Sequence, residues 1–173
     1  MAKDYGLSFI SNEDLFFHVK ETIESTPARK TTLPELKNTG YFHQSLLKSI
    51  VENRHCRSNG FDVIHRQKKI FAEIKNTCPS MNSSSARDTY MQMQHEILSD
   101  RSTTCYLVEM TSKSNQESIW KITIDGQKLC HENIKRIPID NFYGQVTGIN
   151  NAYKALCQIL PLVLKDLKKS TQG

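Results

Sequence analysis

The stretch FDVIHRQKKIFAEIKNT, residues 61 to 77, constrains the fold of this chain more than any other. Its two halves alternate as strands do, and the polar break between them reads as a turn centred on Gln67-Lys68. The resulting hairpin sets Asp62 directly opposite Glu73, with Lys75 two residues further along the same face. Sorting by parity places Phe61, Val63, Ala72 and Ile74 on an apolar face, and Asp62, Ile64, Phe71, Glu73 and Lys75 on the other. Like charges facing each other across strands are destabilising. The hairpin therefore carries a conflict that folding alone does not require.

Cross-strand Cβ atoms lie roughly 4.5 to 5.5 Å apart, close enough for the two carboxylates to meet. Two ionised acids at that distance repel, and one takes up a proton unless a cation joins them. A divalent ion removes the conflict. Mg²⁺ accepts one or two carboxylates, keeps several waters and completes its shell with phosphate oxygens. Lys75, on the same face, is placed to orient or deprotonate a metal-bound water and to offset charge on a pentavalent phosphorane. The competing reading is a solvated strand face with a chance Asp…Glu-x-Lys. Against it stand the register of the acids, the hydrophobic intervening arm and the shelter offered by Ile64 and Phe71. On the residues alone both readings stand.

The rest of the chain reads as one α/β unit over residues 1–173. Residues 11 to 25 form a helix with Ser11 as N-cap and Leu15, Phe16, Val19 and Ile23 at helical spacing. A loop with two prolines follows, then a helix from about 41 to 53 carrying Phe42, Leu46, Leu47, Ile50 and Val51. After the hairpin, NTCPSMNSSS supplies turn and cap residues for a helix reaching about Leu98. CYLVEM (105 to 110) has the continuous apolar character of a strand buried on both faces, and IWKITID (119 to 125) alternates before an Asp125-Gly126 turn. A short helix over 140 to 147 and a last one over 151 to 168, with Pro161 as a kink, complete the order helix, hairpin, helix, strand, strand, helix. That order predicts a mixed β-sheet flanked by helices.

Composition narrows the class. With 24% charged and 38% hydrophobic residues the chain is neither disordered nor membrane-like, and its net charge of +5 is compatible with a polyanionic partner. Cys56, Cys78, Cys105, Cys130 and Cys157 are odd in number and contain no CxxC pair, which argues for a reducing compartment. The N-terminal stretch lacks a leader's apolar run and no 18-residue apolar segment occurs, so a cytoplasmic protein without membrane contact is expected.

Several strings then add up to a family. GYFHQ (40 to 44), GFDV (60 to 63), FAEIKN, MNSSS (81 to 85), KITIDGQ and HENI (131 to 134) resemble type II restriction endonucleases that cut at GGNCC, within the PD-(D/E)xK nuclease superfamily. The resemblance covers most of residues 5 to 168. It implies a restriction-endonuclease-like core and Mg²⁺-dependent hydrolysis of double-stranded DNA. It also implies a homodimer matching a palindromic site, and a cognate DNA methyltransferase that protects host DNA. Asp62 and Glu73 become the metal ligands and Lys75 the water-positioning or charge-stabilising group. Phe61 stands where the superfamily's name has proline. The connection from Glu24 to Gly40 is shorter than the resemblance leads one to expect, which puts a DNA-contacting arm in doubt. Many such enzymes add a residue from the helix before the hairpin, and Gln44 and Glu52 are the candidates.

DNA recognition at G and C needs major-groove donors and acceptors. His131, Glu132, Asn133, Lys135 and Arg136 offer them within KLCHENIKRI (128 to 137), unless that stretch is an ordinary polar strand and turn. Asn82, Ser83, Ser84, Ser85 and Arg87, at a helix start, suit a phosphate or equally a simple cap. His43 beside Gln44 and His55 beside Cys56 lack the spacing of a metal site. His18 and His95 read as helix-surface groups, Trp120 and Met93 as core, and Lys165, Lys168 and Lys169 as a solvated helix end. Two rival functions remain: another nuclease of this superfamily with a different DNA substrate, and a DNA-binding module that has lost catalysis.

Overall fold

The computed structural model describes residues 4–25, 40–51, 60–76 and 81–170. Helix α1 (Asn12–Ser25) starts at the Ser11 cap, whose hydroxyl accepts the Asp14 N–H at 3.0 Å. Helix α2 (Gly40–Ile50) buries Phe42, Leu46 and Leu47 completely. Strands β1 (Val63–His65) and β2 (Ile70–Lys75) pair antiparallel as Val63–Ala72, Ile64–Phe71 and His65–Ile70, the register their alternation predicts. Helix α3 (Ser83–Ser99) is capped by Asn82 and provides the crossover that lets β3 (Thr104–Glu109) run parallel to β2. Strands β4 (Ser118–Ile124) and β5 (Gln127–Pro138) turn at Asp125-Gly126, where φ is +51° and +78°. Helix α4 (Ile139–Thr147) stops at Gly148, left-handed at φ 72°, and α5 (Ala152–Ser170) closes the described chain, running through Pro161.

The five strands lie in the order β1-β2-β3-β5-β4, with a parallel centre and antiparallel edges. One face buries Ile70, Ala72, Ile74, Tyr106, Val108 and Ile137 under α1, α2, α4 and α5. The other packs Ile64, Cys105, Leu107, Trp120 and Ile134 against Tyr90, Met93 and Ile97 of α3. This is the expected mixed sheet flanked by helices. Among the described residues no helix is long and apolar enough to cross a membrane.

Three expectations change. Residues 127–138 form a full strand at the sheet's interior, an element that the expected order helix, hairpin, helix, strand, strand, helix lacks. The pattern is hidden because β5 is irregular: Cys130 pairs with Lys121 and Lys135 with Ile119, so residues 131–134 stand opposite Trp120 alone. Phe61 joins the α3-side core and meets Phe71 edge-to-face at 5.3 Å, instead of sharing the Val63 face. It precedes β1, which begins at Val63, so strand parity does not extend to it. His18 is not a surface group: its side chain is 12% exposed and its Nδ1 shares a 2.8 Å hydrogen bond with Ser45 Oγ.

The hairpin turn is tied to the far end of α4. Lys68 Nζ donates to the carbonyls of Gln145 at 2.8 Å and Val146 at 3.1 Å, orphan acceptors at a helix C-terminus. Lys68→Met is expected to cost roughly 0.5 to 1 kcal/mol, the range for an exposed cation at a helix end. Urea unfolding with an unchanged midpoint would show that this tie contributes nothing.

Candidate active site

The site assembles where the hairpin meets α2. Phe71, Glu73 and Lys75 share one face of β2, where Phe71 packs on the α3-side core and Glu73 stands beside the buried Leu107 of β3. Glu73 is therefore half-sheltered, 17% exposed, and Lys75 is 31% exposed. Lys75 Nζ donates to Glu73 Oε1 at 2.7 Å. Asp62, in the bend before β1, accepts the Ile74 N–H on Oδ2 at 2.8 Å, and its own N–H turns to the Glu73 carboxylate. Its Oδ1 takes the amide of Gln44 from α2. One candidate helix residue thus touches Asp62. The other, Glu52, lies outside the described residues, as do His55, Cys56, Cys78 and most of the short 25–39 connection.

Electrostatics record the crowding of the acids. Burial pushes the Glu73 carboxyl above its usual range, the Lys75 ammonium pulls it down, and the Asp62 charge pushes it up again. Carboxylates under that strain suit a divalent ion. Among the described residues no group of three or more His, Cys, Asp or Glu gathers as a metal cage. Two carboxylates leaving room for water and phosphate is nonetheless the donor set Mg²⁺ prefers. His43, beside Gln44, is fully buried and shares a 2.9 Å hydrogen bond with Tyr143, a packing role rather than a ligand's.

A charged pair on the same face was missed in the sequence. Glu109 lies across from Lys75 in the parallel β2–β3 register and is 5% exposed. The Arg136 Nε donates to its Oε1 at 2.8 Å, joined by Nη2, while Ser112 Oγ donates to Oε2 at 3.1 Å. The available signal was an acid ending the apolar run CYLVE.

The nucleic-acid candidates fall in two groups, one on β5 and one at the start of α3. In the 131–136 group, the His131 ring accepts the Asn133 N–H at 3.1 Å and the Asn133 amide donates to the Arg101 carbonyl. Lys135 pairs with Glu117 at 2.8 Å, Arg136 with Glu109, and Glu132 is exposed. Lys135 and Arg136 point to opposite faces, since consecutive strand residues do. At the α3 start, Asn82 Oδ1 accepts the Ser85 N–H at 2.7 Å, so capping accounts for both. Ser83 and Ser84 are exposed there, and Arg87 sits 3.6 Å from Asp125 in the β4–β5 turn.

A mixed, helix-flanked sheet with Glu-x-Lys on its second strand and an aspartate in the preceding bend has the core of the restriction-endonuclease-like proteins. More narrowly, the chain belongs to the Eco47II restriction endonuclease family, whose sequence pattern matches residues 28–169. It is 23% identical over 176 residues to the type II restriction enzyme Sau96I of Staphylococcus aureus. That alignment takes in 96% of this chain but 64% of the relative's length. No solved structure matches the chain significantly.

Proposed function

We propose that the chain is a type II site-specific endonuclease that hydrolyses phosphodiester bonds of double-stranded DNA with Mg²⁺. The observation that carries this reading is the meeting of Asp62, Glu73, Lys75 and Gln44 on one half-sheltered patch of a family member. Asp62 and Glu73 would hold the metal, which when bound supplies a more acidic water and neutralises charge developing on the phosphate. Lys75 would either orient the attacking water and offset charge on the equatorial oxygens as an ammonium or, as the neutral amine, take that water's proton. Gln44 fixes the rotamer of Asp62 by its amide. The site read is of the GGNCC type. Its two-fold symmetry calls for a homodimer with one such centre per strand, working in the cytoplasm beside a methyltransferase that modifies the same sequence.

Plasmid incubated with purified protein tests this. Discrete fragments with Mg²⁺, and none with EDTA, are expected. Cutting without a preferred site would assign the centre to another substrate within the superfamily. Retained DNA binding with no cut at any protein concentration would leave a binding module only.

A further inference from the structure

Helices α1 and α2 run antiparallel, with α2 packed on β1 and β2. Tyr41 Oη donates to Glu21 Oε1 at 3.4 Å, and Ser45 Oγ shares a 2.8 Å hydrogen bond with His18 Nδ1. A groove of about 590 Å³ opens between the two helices. Phe17 lines it and is 58% exposed, an aromatic ring left in solvent at the middle of α1. A large apolar side chain rimmed by polar ones is the pattern of an interaction surface. Glu13 and Lys48 form that rim, and neither makes an ion pair among the described residues. Ser49, also in the lining, buries its Oγ without a hydrogen-bond partner among the described residues. Helix α1 carries four acids against one lysine, while the whole chain has a net charge of +5. Such a face repels a polyanion, so its occupant is a protein and not DNA.

We propose that this groove is the interface with a second copy of this chain, in which each copy seats Phe17 in the other's groove and pairs Glu13 with Lys48 across the two-fold. The inference rests on the nuclease reading above, which calls for two centres on one palindromic site. An isologous contact needs a surface complementary to itself, and an acid and a base on opposite walls of one groove supply that. Location favours it as well. Lys48 is four residues on from Gln44, roughly 6 Å along α2, so the interface lies beside the side chain that reaches Asp62. A five-base-pair site spans roughly 17 Å of duplex, and centres flanking this groove stay within that range. The far edge of the sheet offers Ile119, 44% exposed on β4, but β4 is three strands from β2. Joining two copies there would part the centres by roughly 30 Å of sheet alone.

Light scattering after size exclusion, over a range of protein concentrations, tests the interface. Wild type is expected to be a dimer, and Phe17→Glu should raise its dissociation constant roughly 30-fold or more, as for loss of one interface hot spot. Phe17 is exposed, so this variant should keep the wild-type circular dichroism. Glu13→Lys and Lys48→Glu each set like charges across the two-fold and should each weaken the dimer. Mixed in equal amounts, these two variants should form a heterodimer, because both of its charge pairs are then opposite in sign. Pairing within one chain would give no such recovery, and the mixture decides the matter even if Phe17→Glu fails to fold. Cleavage of a single-site plasmid should follow the dimer, with linear product lost in each variant alone and regained in the mixture. Wild type that dimerises and cuts, with no weakening in the variants or no recovery on mixing, would overturn the interface and leave the nuclease standing. Loss of the dimer in Ile119→Glu alone would move the interface to β4 and overturn the proposal. A wild-type monomer at every concentration, with or without a GGNCC duplex, would give the groove to a different protein and also overturn it. A dimer that the mixture restores, in a protein that never cuts DNA, would uphold the interface and overturn the nuclease reading.

Discussion

Replacing Glu73 by glutamine is expected to lower Mg²⁺-dependent plasmid cleavage by roughly 10³-fold, the several kcal/mol a metal centre supplies to a developing phosphorane. Glutamine keeps the shape and an acceptor for Lys75 Nζ, so the strand and its neighbours remain in place. DNA binding should therefore survive while cutting does not. A variant cutting at the wild-type rate would remove Glu73 from the centre.

The same substitution has a stability signature whose sign follows from the crowding. The Glu73 carboxyl is raised above its ordinary 4.5, so the folded chain holds this proton to higher pH than the unfolded one does. Its contribution to stability is most favourable below the ordinary glutamate range and declines as pH climbs through the raised folded value. Glu73→Gln removes that decline. It should melt higher than wild type at neutral pH, and the gain should shrink on acidification. A divalent ion cancels the penalty from the other side, so Mg²⁺ should raise the wild-type midpoint and leave the variant's unchanged. The ion must displace a proton held more tightly than usual, so the Mg²⁺ response should fade at higher pH than an ordinary glutamate would allow. Equal Mg²⁺ shifts in both proteins would place the ion elsewhere.

Phe42→Ala is expected to destabilise the chain by about 3 to 5 kcal/mol, the cost of truncating a fully buried aromatic side chain. Domains of this size have roughly 5 to 15 kcal/mol in total, so this one change removes a large share. Phe42 lies in the larger core and stacks edge-to-face on His43 at 5.0 Å, and both anchor the helix that carries Gln44 to Asp62. Cleavage should fall further than the folded fraction alone predicts, because a loosened α2 no longer holds the Asp62 rotamer. Denaturant unfolding against an activity assay on the same sample separates the two effects. A loss below about 1 kcal/mol would mean the core closes over the gap.

The hairpin was legible because its information is local. Alternation over residues 63 to 75 defines both strands, their register and the sharing of a face by Glu73 and Lys75. Helix α1 was legible for the same reason, as cap and apolar period sit within a single turn or two of chain. Strand β5 was less so, since its inward residues are interrupted where residues 131–134 bulge against Trp120. Gln44 and Glu52 were indistinguishable as partners of Asp62, because helical spacing says nothing about which turn meets a hairpin lying 18 residues from Gln44.

Sequence alone determined the paired acids, the lysine beside them and the family to which such strings belong. Tertiary structure alone decided that β5 enters the sheet between β3 and β4, which sets Arg136 on Glu109 across 27 residues. The physical reason is one of range. Side-chain alternation and capping are read between neighbours in the chain, whereas strand order is chosen by which apolar faces can be buried together, a property of the whole folded chain.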